Sequence, residues 1–193
     1  MPAYVVQGVR GGACSPREGI AMRSISYTAI GASLLIVIAG CGDGGDGDNV
    51  VRRKGEPDMI RVDSDNKKIN AAIQQARLTV GDFITALQSP KTGESGFAVK
   101  KRFPIKGDNA EHIWLSDVSF DGKQFRGRIN NEPVDAKGVK LGEPATVAPS
   151  DISDWMYVRN GKLVGGYTIR ALYDLSSPAG RNRFTTDTGL RLD

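Results

Sequence analysis

One tetrapeptide of the sequence has an evident chemical meaning: Ile-Ala-Gly-Cys at residues 38–41, which ends an apolar stretch over residues 29–40. An aliphatic residue three places before a cysteine is typical of bacterial lipoprotein signals, which are cut before the cysteine while its thiol is lipidated. The apolar stretch is shorter than the roughly 20 residues that a membrane-spanning helix needs. We therefore predict that Cys41 is the mature N-terminus and carries palmitate-type chains that anchor the protein to a membrane. The alternative is an uncleaved anchor or a chance cysteine.

The flanking residues predict where the signal begins and where the protein is delivered. Met22 and Arg23 precede the apolar stretch as the start and the charged region of a complete signal peptide, residues 22–40. Residues 1–21 are then a mis-assigned extension of the gene start. Gly42 follows the cysteine, whereas an aspartate at that place usually retains a lipoprotein in the inner membrane. This favours the outer membrane, facing the periplasm, if the source is Gram-negative.

Downstream of the cut, the composition divides the chain into three parts. Residues 41–56 are rich in glycine and aspartate, which predicts a flexible tether behind the lipidated cysteine. An EF-hand loop begun at Asp43 would have glycine at its third and fifth positions, so we predict no calcium site there. Residues 57–175 suffice for one independent core and predict a single globular domain. Residues 176–193 lose the apolar pattern and predict a loose tail.

His112 is the single histidine of the chain and the first candidate for acid–base chemistry. With Glu111 beside it and Asp154 later in the chain, it could act as general base in a hydrolase-type enzyme. The alternative is a structural histidine that hydrogen-bonds Asn131 across a hairpin. Because a zinc site normally takes three or four His, Cys or acidic ligands, we predict no metal site, and we predict no cofactor.

The densest aromatic and acidic stretch, residues 151–157, contains Trp155 and Tyr157. Together with Trp114, these side chains are candidates for an exposed ligand-binding groove, because aromatic residues are favoured at binding contacts. Burial of the same side chains in the core is the alternative. Arg170 lies on a segment with strand-like alternation, and we predict that it binds an anion or pairs with an acidic side chain.

The charge balance restricts the class of partner. The chain has 26 Lys and Arg against 22 Asp and Glu, a net charge of +4, and 23 against 21 remain after residues 1–41 are removed. So small and dispersed an excess argues against a nucleic-acid partner. One dense basic cluster, Lys100-Lys101-Arg102, is interpreted as a solvated strand edge.

Residues 65–88 carry the clearest helical pattern, with apolar residues at steps of three and four and Pro90 as a stop signal. The pattern then changes to the two-residue period of strands. Strands are predicted at residues 97–103 and 145–148, and residues 167–173 either extend a hairpin or begin another strand. The result is an α+β domain, an N-terminal amphipathic helix packed on a curved, mostly antiparallel sheet, with closure into a small barrel as one option.

Two dipeptides predict tight hairpin turns, Asp121-Gly122 and Asn160-Gly161. A two-residue turn at the first would place Val118 opposite Phe125 and Asp117 beside Arg126. The same arithmetic at the second would pair three residues with partners on the return strand: Val158 with Leu163, Tyr157 with Val164 and Trp155 with Gly166.

Several ordered motifs of the domain resemble a known family. They are Ala71-Ala72-Ile73, Ala76-Arg77-Leu78-Thr79, Phe83, Phe97-Ala98-Val99-Lys100, Glu111-His112-Ile113-Trp114-Leu115, Gly127, Asn131-Glu132-Pro133, Ser153-Asp154-Trp155-Met156-Tyr157 and Gly165-Gly166-Tyr167-Thr168-Ile169-Arg170. In these motifs the chain resembles the YegJ-like bacterial family, domain of unknown function 2314, over most of residues 58–172. The resemblance implies a compact α+β domain, in some members behind a lipoprotein signal, and no established reaction or ligand. Lys101-Arg102 departs from the family's alternation of apolar and polar residues.

Three functions are compatible with these observations. The first is an envelope lipoprotein whose domain binds a protein partner, a peptide or a cell-wall fragment, with Trp114, Trp155 or Tyr157 in an exposed patch. The second is a hydrolase-type enzyme that uses Glu111, His112 and Asp154. The third is an immunity or scaffold protein.

Overall fold

The structure is a computed structural model that describes residues 3–7, 50–51, 59–63, 65–107, 109–189 and 192. The predicted signal peptide at residues 22–40, the lipidation site Cys41 and most of the tether lie outside the described residues. Among the helices that are described, none combines the length and the apolar character that crossing a bilayer requires.

Helices and strands alternate irregularly along the chain, as expected of an α+β fold. The helices are α1 (Lys67–Leu78), α2 (Val80–Gln88), α3 (Tyr167–Leu175) and α4 (Pro178–Thr188). The strands are β1 (Ala3–Gln7), β2 (Val50–Val51), β3 (Met59–Asp63), β4 (Glu94–Pro104), β5 (Ala110–Phe120), β6 (Phe125–Ile129), β7 (Pro144–Val147), β8 (Ile152–Arg159) and β9 (Lys162–Gly165). A 3-10 turn, Pro149–Asp151, joins β7 to β8.

The strands form one open sheet in the order β2-β3-β1-β5-β4-β8-β9, with β6 and β7 as a branch beside β5. Neighbouring strands are antiparallel, except that β1 runs parallel to β5. Lys101 Nζ on β4 donates a 2.8 Å hydrogen bond to the Thr146 carbonyl on β7. Since β5 and β6 lie between these strands, the sheet must be strongly curved. The barrel option is nevertheless wrong, because in the described part of the chain no ladder joins β7 to a strand at either end of the order.

The predicted helix over residues 65–88 is found as two helices that meet at Thr79. Asn66 caps the first, its side-chain oxygen accepting from the N–H groups of Lys68 at 3.1 Å and Ile69 at 3.2 Å. The Thr79 hydroxyl donates to the Gln75 carbonyl at 2.8 Å, and its backbone, at φ −106° and ψ 9°, leaves the helical region. Local side-chain bonding of this kind competes with helix continuation.

The second hairpin has the predicted register, with Val158 opposite Leu163 and Tyr157 opposite Val164. The first does not. Phe120 lies opposite Phe125 across a four-residue turn, and the register shifts again between Ser116 and Ser119.

The predicted partnership of Asp117 with Arg126 fails for the same reason. Asp117 has a φ of +52° within the irregular part of β5. Arg126 instead pairs with Asp121 in the turn, at 3.0 Å, and Asp121 also accepts from the N–H groups of Lys123 and Gln124.

The segment after the second hairpin differs most from the prediction, because residues 167–173 are helical. Gly165 and Gly166 have φ values of +72° and +64°, which turn the chain out of β9 and into α3. The predicted loose tail at residues 176–193 contains helix α4, whose Phe184 packs edge-on against Tyr173 at 5.7 Å between ring centroids.

Side chains alternate between the two faces of the central strands and enter separate clusters. On the α2 face, Val99, Leu115 and Trp155 pack around the buried Phe83 of α2. On the α3 face, a second cluster contains Ala98, Trp114 and Met156 from the sheet, Ile169 from α3 and Phe184 from α4.

Candidate functional site

The most unusual group in the fold is a chain of three buried polar side chains on the α3 face: Lys100, Thr168 and Asp154. Lys100 Nζ donates to the Thr168 hydroxyl at 2.9 Å, and that hydroxyl donates to Asp154 Oδ2 at 2.5 Å. The side chains of Lys100 and Asp154 are completely inaccessible to solvent, and that of Thr168 is nearly so. We call these three residues the buried triad.

The triad exists because three elements meet at one point. Lys100 on β4 lies opposite Asp154 on β8 and, on the other side, opposite Trp114 on β5. Asp154 also caps α3, accepting from the N–H groups of Tyr167 at 3.1 Å and Thr168 at 2.8 Å. A carboxylate at a helix N-terminus satisfies otherwise unbonded N–H groups and complements the helix dipole. The triad therefore ties the start of α3 to the middle of the sheet.

Burial governs the charges of the triad. It lowers the pKa of Lys100 to about 8, against the opposing attraction of the Asp154 carboxylate. It also raises the pKa of Asp154, an effect opposed by Lys100 and by hydrogen bonds from Thr168 and Trp155. The Lys100 ammonium lies 4.5 Å from the centroid of the Trp114 ring, and such an aromatic face stabilises a cation. Because all three side chains are closed to solvent, the triad has no access to a substrate.

His112 lies on the same face of the sheet as the triad and is 3% exposed. Burial lowers its pKa to about 3, and the positive charges of Lys100, Arg102 and Arg77 lower it further. The imidazole is therefore neutral at pH 7.

Glu111 projects to the opposite face, as its position next to His112 on β5 requires. Its carboxylate is fully buried and accepts hydrogen bonds from the N–H groups of Val134, Asp135 and Ala136, at 2.9, 2.9 and 2.8 Å. A loop that would otherwise carry unbonded N–H groups is thereby fixed to β5.

The three residues suggested for hydrolysis are not brought together. Glu111 lies on the α2 face and holds a loop, whereas His112 and Asp154 lie on the α3 face, and Asp154 caps a helix. A hydrolytic site would need a base, its orienting partner and a nucleophile converging on a point open to substrate. Glu111, His112 and Asp154 do not form such a site.

The expected exposed aromatic patch is not formed by Trp114, Trp155 and Tyr157, since all three are less than 5% exposed. Trp155 donates from Nε1 to the Ala76 carbonyl of α1 at 2.9 Å. Tyr157 stacks on Phe97 with 4.8 Å between ring centroids. These large aromatic side chains join helices to the sheet. They are buried in the core, which was the alternative to an exposed groove.

Arg170 has a different role from either that was predicted. It lies on α3, and its guanidinium donates to the carbonyls of Leu163 at 2.8 Å and Gly165 at 3.1 Å, and to that of Leu192. Because β9 is the last strand of its side of the sheet, this arginine covers main-chain acceptors at a sheet edge.

Sequence reasoning missed Lys100 and Thr168. Lys100 was grouped with Lys101 and Arg102 as a solvated edge, yet β4 lies inside the sheet between β5 and β8. The available signal was its position, two residues after Ala98 on the same face of a strand. In the part of the chain that the structure describes, no three His, Cys, Asp or Glu residues are placed to hold a metal ion.

Comparison with known proteins gives a family without an assigned activity. The sequence profile of "Uncharacterized protein conserved in bacteria (DUF2314)" matches residues 66–192. Uncharacterized protein YegJ of Escherichia coli (strain K12) is 38% identical over 108 residues, which are 56% of this chain and 69% of that protein. A putative ankyrin repeat protein of Neisseria meningitidis serogroup B is 47% identical over 66 residues, which are 34% of this chain and only 26% of that protein. No solved structure matches the chain.

Proposed function

This chain belongs to the DUF2314 family of uncharacterised bacterial proteins, and from that premise we propose that it is an envelope lipoprotein whose compact domain binds a partner. The observation that carries the proposal is the cysteine that ends the apolar stretch at residues 29–40. Lipidation of Cys41 would attach the domain to a membrane through more than one acyl chain, which gives stable anchoring. Residues 42–56 would then act as the tether.

Binding is favoured over hydrolysis by the use that the fold makes of its titratable residues. Glu111 fixes a loop, Asp154 caps α3, and His112 is buried with a pKa of about 3. In this domain the ionisable residues suggested for catalysis are used to stabilise the fold. Such a domain is better suited to binding a partner on a rigid surface than to hydrolysis. The partner classes are an envelope protein, a peptide or a cell-wall fragment.

Metabolic labelling with radioactive palmitate tests the anchor. We expect the wild-type protein to incorporate label and to sediment with membranes, and Cys41→Ala to lose the label. Cys14→Ala is the matched control, since the chain has two cysteines and this one precedes the signal; it should label normally. An unlabelled, freely diffusing wild-type protein would refute the proposal.

Separation of inner and outer membranes on a density gradient tests the destination. We expect the wild type, with Gly42 after the cysteine, in the outer-membrane fraction of a Gram-negative host. Gly42→Asp should move it to the inner membrane. Equal distribution of both forms would contradict an outer-membrane location.

Cross-linking in intact cells tests the binding role. We expect an envelope protein, peptide or cell-wall fragment to be joined to the wild-type domain and to be reduced with Cys41→Ala, which would no longer be held at the membrane. Recovery of the domain alone from both strains would count against a binding module.

A further inference from the structure

The side of strand β5 that faces away from β4 is paired at its start with residues that the processed protein would lack. β1, Ala3–Gln7, runs parallel to the start of β5, with Tyr4 opposite Ala110, Val5 opposite Glu111 and Val6 opposite His112. Residues 3–7 precede the predicted cleavage before Cys41. They would be absent from the mature protein whether translation starts at Met1 or at Met22.

Loss of β1 would change the sheet at one defined place. In the described strand order, β1 is the link between the β2–β3 ribbon and the rest of the sheet. On the same side of β5, β6 begins to pair only at Leu115. The vacated place is therefore bounded by the start of β6, and it spans the three residues Ala110–His112.

Leaving this edge of β5 without a neighbouring strand would be energetically unfavourable. With β1 in place, Ala110, Glu111 and His112 are all less than 4% exposed, and β4 pairs with their other side. Removing β1 would leave main-chain N–H and C=O groups of β5 without a neighbouring strand on that side. Such groups in native proteins are bonded, and a strand edge of this kind is a template for another strand.

We infer that, in the processed protein, the Ala110–His112 edge of β5 binds an extended peptide segment by β-strand addition, parallel to β5. The inference rests on the proposed cleavage before Cys41. The chemistry of the partner follows from the segment that pairs there: residues 3–7, Ala-Tyr-Val-Val-Gln, carry no charge and include two consecutive β-branched residues. Main-chain hydrogen bonds would supply affinity, as in other cases of strand addition.

Two other edges of the described sheet, at β9 and at β7, are less suited to a partner. At β9, Arg170 covers the carbonyls of Leu163 and Gly165. At β7, Pro144 has no N–H group and the Thr146 carbonyl accepts from Lys101. A proline in an edge strand, and a main-chain acceptor already bonded to a lysine, oppose addition of a further strand.

The test uses lipoprotein purified from membranes, whose N-terminus is first established by mass spectrometry. A fluorescent peptide with the sequence of residues 2–8 is titrated with this protein, and anisotropy is recorded. Two variants of the peptide, Val5→Pro and Val6→Pro, are matched controls, because adjacent residues of a strand direct their N–H groups to opposite edges. We expect saturable binding of the parent peptide and at least tenfold weaker binding of one or both proline variants.

Amide hydrogen exchange locates the contact. We expect exchange at residues 110–112 to be slowed by the parent peptide and not by a variant that does not bind. Three outcomes would each overturn the inference. The first is that the processed protein does not bind the parent peptide, and the second is that it binds all three peptides equally. The third is that residues 110–112 are already protected by residues 59–63 before any peptide is added. Retention of residues 1–40 would overturn both this inference and the proposed function, whereas each of the other outcomes would overturn this inference alone.

Discussion

Asp154 Oδ2 accepts hydrogen bonds from both the N–H group and the hydroxyl of Thr168, at 2.8 and 2.5 Å. The same hydroxyl accepts from Lys100 Nζ at 2.9 Å. One threonine at the first turn of α3 thus mediates between a buried amine and a buried carboxylate. The stability of this fold should therefore depend on that hydroxyl.

Thr168→Val keeps the shape of the side chain and removes the hydroxyl. Lys100 and Asp154 would each lose a hydrogen-bond partner in a dry environment, so we expect the free energy of unfolding to fall by about 2–4 kcal/mol. Urea denaturation followed by tryptophan fluorescence measures this. Thr168→Ser, which keeps the hydroxyl and loses the methyl group, should be much less destabilising; a larger loss for Thr168→Ser than for Thr168→Val would mean that packing of the methyl group dominates.

Stability should depend on pH through His112. Its pKa in the folded protein, about 3, lies below the ordinary value of 6.5, so the unfolded chain binds the extra proton across that interval. The contribution is fully present above pH 6.5 and is lost as pH falls towards 3, by up to about 1.4 kcal/mol per pH unit.

His112→Gln removes this titration while keeping a polar side chain of similar size. We expect its free energy of unfolding to vary less with pH than that of the wild type between pH 6.5 and 4. Urea denaturation at several pH values measures the two slopes. Parallel profiles for the two proteins would show that His112 is not held neutral by the fold.

Glu111→Gln should loosen the loop that the carboxylate holds. A glutamine keeps one acceptor oxygen where the carboxylate offers two to Val134, Asp135 and Ala136, so we expect a loss of about 1–3 kcal/mol. Amide exchange at residues 134–136 should accelerate. Glu143→Gln is the control, since Glu143 is exposed and accepts from Lys140 at 3.2 Å; a comparable effect there would refute the special role of Glu111.

Gly165→Ala should be strongly destabilising. Its φ is +72°, and a Cβ would lie 2.4 Å from the Trp155 carbonyl oxygen and 2.5 Å from two atoms of the indole. Gly122→Ala is matched for backbone conformation, at φ +92°, but meets nothing within 4 Å.

We expect Gly122→Ala to lose about 1 kcal/mol from backbone strain alone and Gly165→Ala to lose several times more. Thermal unfolding compares them. Similar melting temperatures for the two variants would show that β9 shifts readily away from the Trp155 ring.

The sequence alone determined those features that depend on local patterns. The helical period of residues 65–88 placed α1 and α2, and Asn160-Gly161 fixed the register of the second hairpin, because a two-residue turn leaves little freedom in pairing. The motifs shared with the family predicted the α+β class. Local rules also explain the errors: at Asp121-Gly122 an Asx turn lengthened the loop, and at residues 167–173 an alternating pattern was as compatible with a helix as with a strand.

Tertiary structure alone decided what the polar residues do. Whether Lys100 is solvated depends on β4 lying between β5 and β8, and whether Asp154 is a catalytic acid or a helix cap depends on α3 beginning beside it. Lys100 meets Asp154 and Thr168 from more than 50 positions away in the chain. Burial and pairing, which set the charges and bonds of these residues, are properties of the assembled layers. Spacing along a chain carries no record of which distant strand will lie opposite.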